Sequence, residues 1–274
     1  MSDDEYDSEA VAWAVNHAGA GDVVHLVHSY VPVRIAECSW QPVARERDAR
    51  RRGAERTLAR AMRRVRAAHP QLQVEGSVVA GLAADVLYEF STIVDLVVVS
   101  EDRPTGTAGQ PPAHHVAQRL AHSAGCPVAV VPSAFDSAAV GSAAPVTVLV
   151  DTAEIPSDVL DFAYDEAARL GSSLCVAQLW TALHEAEPLT AGLVAERQQQ
   201  LDAQLAGLHR PDHPIGIFAE LVFDDFDDTL LRLRSASRVL VAASTHPRMG
   251  RLTGHSAEGS CPVIIVPAAR AAWR

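Results

Sequence analysis

His122-Ser123-Ala124-Gly125-Cys126-Pro127-Val128-Ala129-Val130-Val131-Pro132 decides the fold, because it returns as His255-Ser256-Ala257-Glu258-Gly259-Ser260-Cys261-Pro262-Val263-Ile264-Ile265-Val266-Pro267. Cys-Pro, four apolar residues and a second Pro recur 135 positions apart, which is one domain length. The chain therefore reads as two copies of one fold joined end to end. Looser matches support this. Ser8 to Ala14 aligns with Ser157 to Ala163, Val23 to Tyr30 with Ser173 to Trp180, and Asp95 to Ser100 with Ser237 to Ala242. The stretch from Ser133 to Pro145 is small and polar, without helical or strand period. It marks a linker at 136–145, between a first unit at 1–135 and a second at 146–274.

Coarse structure alternates. The first copy shows helices at 7–19, 43–68, 82–93 and 113–124, with strands at 23–30, 72–80, 95–100 and 127–132. The second shows strands at 146–151, 173–180, 216–223, 238–243 and 262–267, with helices at 156–170, 190–207 and 225–236. Short β-branched runs between amphipathic helices mean parallel strands covered on both faces. In such sheets ligands bind at the carboxyl ends of the strands, at the topological switch point.

Composition sets bounds. The 274 residues are 48% hydrophobic, enough for two modest cores, and no apolar run approaches the ~20 residues of a membrane span. The acidic start is not a signal peptide, and Cys38, Cys126, Cys175 and Cys261 form no CxxC pair. Three of these thiols lie in or beside strand-like segments, which suits buried reduced thiols and a cytoplasmic location. All 23 basic residues are Arg, so neither a P-loop Lys nor a Schiff-base Lys is available.

Several motifs together carry a resemblance. Asp95-Leu96-Val97-Val98-Val99, Gln118-Arg119 ahead of His122, the Cys-Pro-Val segments, Val79-x-Gly81-x-Ala83-Ala84 and Val150-Asp151 resemble the universal stress protein family. The resemblance spans both copies, nearly the whole chain, in the tandem form of actinobacteria. It implies an α/β fold of two Rossmann-like, adenine nucleotide alpha-hydrolase-like domains. Each would hold a parallel five-stranded sheet in the order 3-2-1-4-5, with helices on both faces. It also implies that the fifth strands, Val128-Ala129-Val130-Val131 and Val263-Ile264-Ile265-Val266, pair with each other. An apolar edge strand left open invites aggregation, and two tethered edges have a high effective concentration for each other.

The departures matter as much. ATP-binding members carry Gly-x-x-Gly, nine residues, then Gly-Ser or Gly-Thr, so that backbone N–H groups approach the phosphates at a helix N-terminus. In the first copy Ser100 or Glu101 stands at the first glycine, Arg103 or Pro104 at the second, and His114-His115 at Gly-Ser. Glu101 would face phosphate with like charge. In the second copy the loop after Ala243 keeps Gly250 and Gly254, then His255-Ser256, but the helix supplying the dipole is cut to about one turn. Asp151 stands where the family's adenine-side Asp stands, and also suits a helix cap. The expected state is two eroded sites and no cofactor; the alternative is one ATP site in the second copy.

The first copy also lacks the first strand, which the family order makes central. Met1-Ser2-Asp3-Asp4-Glu5-Tyr6 cannot supply it. Two readings stand: the strand lies upstream of Met1, or the segments 23–30 and 95–100 pair directly and close the gap.

Other clusters have plain readings beside functional ones. Ten Arg between Ala44 and Arg66 against three acids offer +7 to an acidic partner or nucleic acid. The plain reading, a solvated helix face with Ala54, Leu58, Ala61, Met62 and Val65 inward, is preferred, so no nucleic acid or membrane partner is expected. Asp224, Asp225, Asp227 and Asp228 suit a hard cation or a helix cap, and the cap is preferred. His114, His115, His122 and Cys126 have metal-ligand spacing, yet Cys126 belongs to a strand, and no metal is expected. No Ser/His/Asp or Cys/His arrangement has supporting context. The sequence thus points to a non-enzymatic regulatory or interaction module under stress, with a possible homodimer and an unidentified protein partner.

Overall fold

The computed structural model describes residues 9–32, 40–101, 114–133, 135, 143–151, 155–180, 190–208, 210–223, 225–254 and 261–267. Pro104, His255, Ser256 and the linker core at 136–142 lie outside these, as do the side chains of His114 and His115.

The second half follows the 3-2-1-4-5 order. Its strands are β5 (Val146–Val150), β6 (Leu174–Leu179), β7 (Ile217–Val222), β8 (Val239–Ala243) and β9 (Val263–Val266), arranged β7-β6-β5-β8-β9 and all parallel. β5 is central because it is apolar on both faces. Val146, Val148 and Val150 join one core, with α5 (Ser157–Leu170) and α6 (Ala191–Ala206). Leu149 joins the opposite core, with α7 (Phe226–Ala236) and the short α8 (Met249–Leu252). The polar member of β5, Thr147, is buried and accepts a hydrogen bond from the Ser237 hydroxyl at 2.7 Å. Helix ends follow local chemistry. Gly171 closes α5 at φ 62°, a left-handed conformation that glycine adopts without Cβ strain. Thr190 caps α6 and Asp225 caps α7, each accepting a backbone N–H.

The first half is divided. Its elements are α1 (Glu9–His17), β1 (Val23–Tyr30), α2 (Trp40–Ala68), β2 (Gln73–Ala80), α3 (Ala83–Phe90), β3 (Val97–Ser100), α4 (His114–Ser123) and β4 (Val128–Val131). β1 and β2 form a separate parallel two-stranded sheet, while β3 and β4 belong to the seven-stranded sheet β3-β4-β9-β8-β5-β6-β7. Of the two readings of the first half, direct pairing of β1 and β3 is not found among the described strands, which lie in different sheets. The physical reason lies in α1, which spans both sheets. Ala10 and Trp13 pack with Ala129 and Val131, while Val15 packs with Leu26, Leu58 and Val74.

Between the halves, β4 runs antiparallel to β9, with Val128 opposite Ile265, Ala129 opposite Ile264 and Val130 opposite Val263. All eight residues of the two strands are buried. Around them, His17 of α1 stacks on Trp13 and receives the Arg169 guanidinium of α5, which also bonds Glu166 at 2.9 Å. Burial, then the charges of Arg169 and Arg238, lower the His17 pKa to about 3. A neutral imidazole can accept from Arg169, and an imidazolium cannot.

The arginine-rich helix is α2. Ala54, Leu58, Ala61 and Val65 are buried, Met62 packs against the same cluster, and the described arginines lie outward. Arg50–Glu46 and Arg51–Glu55 are i,i+4 pairs at 2.9 Å. Among the described residues no helix is long and apolar enough to cross a membrane.

Candidate functional site

In an open α/β sheet the binding crevice forms where neighbouring strands send their connections to opposite faces. In the second half that point lies between the carboxyl ends of β5 and β8, at Asp151 and Ala243. The loop after β8 turns back on itself: the His246 N–H donates to the Ala243 carbonyl at 3.0 Å and the Met249 N–H to the His246 carbonyl at 3.2 Å. This turn carries the His246 ring into the crevice. Its Nε2 stands 3.6 Å from Asp151 Oδ1, with the two side chains 2% and 5% exposed. Nδ1 accepts the Arg248 N–H at 3.1 Å, so the neutral ring carries its proton on Nε2, facing the carboxylate. Phe226, at the start of α7, closes one side with its ring centroid 5.7 Å from that of His246, and Arg248 lies over the Phe226 ring.

Burial lowers the His246 pKa; Asp151 opposes this and Arg248 reinforces it. With Nδ1 engaged and Nε2–H turned to Asp151, the ring has no free lone pair for a general base. At 3.6 Å from Asp151 the buried Nε2 makes no hydrogen bond among the described residues.

The two glycines expected to flank phosphate differ in how closely they are packed. Gly250 lies within α8, where an added Cβ would approach Gln118 of α4 at 3.5 Å. At Gly254 an added Cβ would meet the Gly250 carbonyl oxygen at 2.8 Å, so the turn tolerates nothing larger. Among the described residues at this crevice, His246 stands against Asp151 and the α8 turn packs against α4.

In the first half Ser100 ends β3 opposite Val131, and Glu101 follows it. The Glu101 side chain is buried against Arg234 of α7, Oε1 to Nη1 at 3.9 Å, with exposures of 3% and 4%. Arg234 Nη2 also reaches the Cys261 carbonyl at 3.4 Å. Burial lowers the Arg234 pKa, while Glu101 and Cys261 raise it. A carboxylate placed beside the β4–β9 junction must find a cation, and α7 supplies one.

Among the described residues no group of three possible metal ligands is brought together. His122 is exposed, with Nδ1 near the Gln118 carbonyl at 2.9 Å, and Cys126 is fully buried. Burial also raises the Cys175 thiol to about 11 and the Cys261 thiol to about 12, so neither is a ready nucleophile. Asp225 is occupied as the α7 cap and Asp227 pairs with Arg251 at 2.9 Å.

His246 and Arg234 escape a motif search. Arg234 leaves one signal: it sits four residues after Leu230 on the buried stripe of α7, where a charge is out of place. His246 leaves none beyond standing in the loop after β8.

A universal stress protein of Mycobacterium tuberculosis is 30% identical over 207 residues, covering 73% of this chain and 68% of that protein. The chain belongs to the universal stress protein family. A universal stress protein of Mycobacterium bovis matches with the same values, and the sequence model of the universal stress protein family matches residues 1–132. Among solved structures, a universal stress protein from Archaeoglobus fulgidus superposes with a TM-score of 0.63 at 12% identity, over 96% of each chain. That likeness is one of fold, and it covers both halves of this universal stress protein.

Proposed function

We propose that this universal stress protein acts as a non-catalytic regulatory or interaction module, in the cytoplasm, with eroded nucleotide sites in both halves. The observation that carries this is the His246 ring against Asp151, at the place where the fold would offer a nucleotide its crevice. In this reading residues 1–135 and 146–274 are two units joined by a linker at 136–145. They associate through Val128–Val131 and Val263–Val266, and the protein works through contacts with other macromolecules.

The test is nucleotide content and affinity. The purified protein is expected to carry no bound nucleotide, by its 260/280 nm ratio and by chromatography after denaturation. Calorimetric titration with Mg-ATP is expected to give no saturable heat. Micromolar binding would overturn the reading.

A second reading, an ATP-responsive switch using the second half alone, is favoured by Asp151, Gly250 and Gly254. It requires His246 to swing out. Under it His246→Ala tightens ATP, while Asp151→Ala and Gly254→Val abolish binding.

A further inference from the structure

The arginines of α2 are not spread evenly around the helix. At 3.6 residues per turn, Arg45, Arg52, Arg56 and Arg63 fall within about 40° of arc. That arc lies half a turn from the buried Leu58, Ala61 and Val65, which pack with Leu26 of β1 and Val74 of β2. It is therefore the outermost line of the helix, and it runs about 27 Å from Arg45 to Arg63 at 1.5 Å per residue. All four arginines are exposed, and among the described residues none of them forms an ion pair.

The flanks of that line are built differently. Glu46 pairs with Arg50 on one side and Glu55 with Arg51 on the other, each at 2.9 Å. A face that only meets water would repeat this i,i+4 arrangement. The line instead sets Arg52 four residues before Arg56, a like-charge spacing that weakens a helix. Ala49 and Ala59 are exposed beside the four arginines, so the row Arg45-Ala49-Arg52-Arg56-Ala59-Arg63 repeats at spacings of four and three. A second helix carries its own side chains at those spacings, so it can match the row step for step, and the two alanines let it come close. The charge balance narrows the partner. The chain carries −11 overall, and with +7 between Ala44 and Arg66 the remainder carries −18. A nucleic-acid duplex or a bilayer would extend past α2 and meet that remainder, and no aromatic side chain stands on the line. The same helix of a second copy would set arginine against arginine. A short acidic segment meets the line alone.

We propose that the outer line of α2 is a docking surface for an acidic helix of a partner protein, whose Glu and Asp side chains recur at four- and three-residue spacing and pair with Arg45, Arg52, Arg56 and Arg63. The inference deepens the reading of this protein as an interaction module and rests on it. A guanidinium takes a carboxylate through two parallel hydrogen bonds, so the row selects the position of each carboxylate as well as its charge. Glu46 and Glu55 are held on the flanks by their own arginines and leave the line to the partner.

The probe is a capped synthetic peptide, three repeats of Glu-Ala-Ala-Gln-Glu-Ala-Ala, titrated calorimetrically into the 274-residue chain at low ionic strength. Saturable one-to-one binding is expected. Arg52→Gln with Arg56→Gln should weaken it about tenfold, the loss of two exposed charge pairs. Arg50→Gln with Arg51→Gln removes the same charge from the flanks and should weaken it less than about threefold. The first variant should melt no lower than the original chain, because it removes a like-charge pair. A peptide of the same composition with its glutamates spread around all faces of the helix should bind about fivefold more weakly. No saturable binding, equal weakening by the two variants, or equal binding of the two peptides overturns the proposal. A DNA duplex or a phosphatidylserine vesicle that binds more tightly than the peptide, and is lost with Arg52→Gln and Arg56→Gln, also overturns it. Concentration-dependent dimerisation lost in that variant would assign the surface to a second copy and refute the heterologous partner. Saturable Mg-ATP binding by a chain that also binds the peptide would overturn the eroded-site reading and leave this surface standing. A silent Mg-ATP titration without peptide binding overturns this surface alone.

Discussion

Replacing Glu101 by Ala should destabilise the protein by about 3–5 kcal/mol, because it strands a buried guanidinium. The number follows from the geometry. The Glu101 and Arg234 side chains are 3% and 4% exposed, and their charged atoms stand 3.9 Å apart. At an effective dielectric constant of ~20, that separation corresponds to about 4 kcal/mol of attraction. After the substitution Arg234 keeps only the Cys261 carbonyl at 3.4 Å, and its buried Nε–H has no hydrogen-bond partner in the structure. The pair's net worth is a separate quantity. Replacing both members together, Glu101→Leu with Arg234→Met, removes the desolvation cost along with the attraction, so it should cost less than about 1 kcal/mol. Urea unfolding followed by tryptophan fluorescence reads both. At a slope of ~3 kcal/mol per molar, Glu101→Ala should lower the midpoint by roughly 1–1.7 M. The double variant should return most of that shift. A loss under about 1 kcal/mol for Glu101→Ala, or a double variant as unstable as the sum of the singles, would refute the buried-pair account.

Three further outcomes are expected. The pKa of His17 is about 3 when folded, against 6.5 as its ordinary value. The unfolded chain therefore binds the proton first, and His17's contribution, full above pH 6.5, should fall by on the order of 1 kcal/mol per pH unit toward pH 3. His17→Gln should flatten that part of the stability profile, and an unchanged slope would contradict the assignment. Val130→Pro or Ile265→Pro removes a donor from the β4–β9 junction. Each should lower solubility, or let limited proteolysis near 137–143 separate the halves; wild-type melting in both would show that the junction does not hold them. Native-state hydrogen exchange should be fastest, among the strands, in β1 and β3 and slowest in β5 and β8, and equal protection of β1 and β6 would mean that the first-half edges are covered.

Periodicity alone was enough to locate the elements. The strand and helix limits read from apolar pattern, Gly and Pro lie within three residues of those observed, as at 72–80 against Gln73–Ala80 and 156–170 against Ser157–Leu170. The order of β5 to β9 is the one the family resemblance implies, and β5, apolar apart from Thr147, suits its central place. The repeated Cys-Pro segment announces the duplication directly. Each of these signals is local, written in consecutive residues.

Tertiary structure decided the rest, because it depends on partners distant in the chain. Glu101 looks like a phosphate-repelling residue until Arg234, 133 positions later, is brought against it across the β4–β9 junction. His246 looks like a loop histidine until the turn after β8 aims it at Asp151, 95 positions earlier. The sequence left open whether the segments 23–30 and 95–100 pair, and the described strands β1 and β3 do not. Whether β1 and β3 close on each other is a competition between ladder bonds and the packing of α1 against two separate cores. No stretch of consecutive residues records how that balance falls.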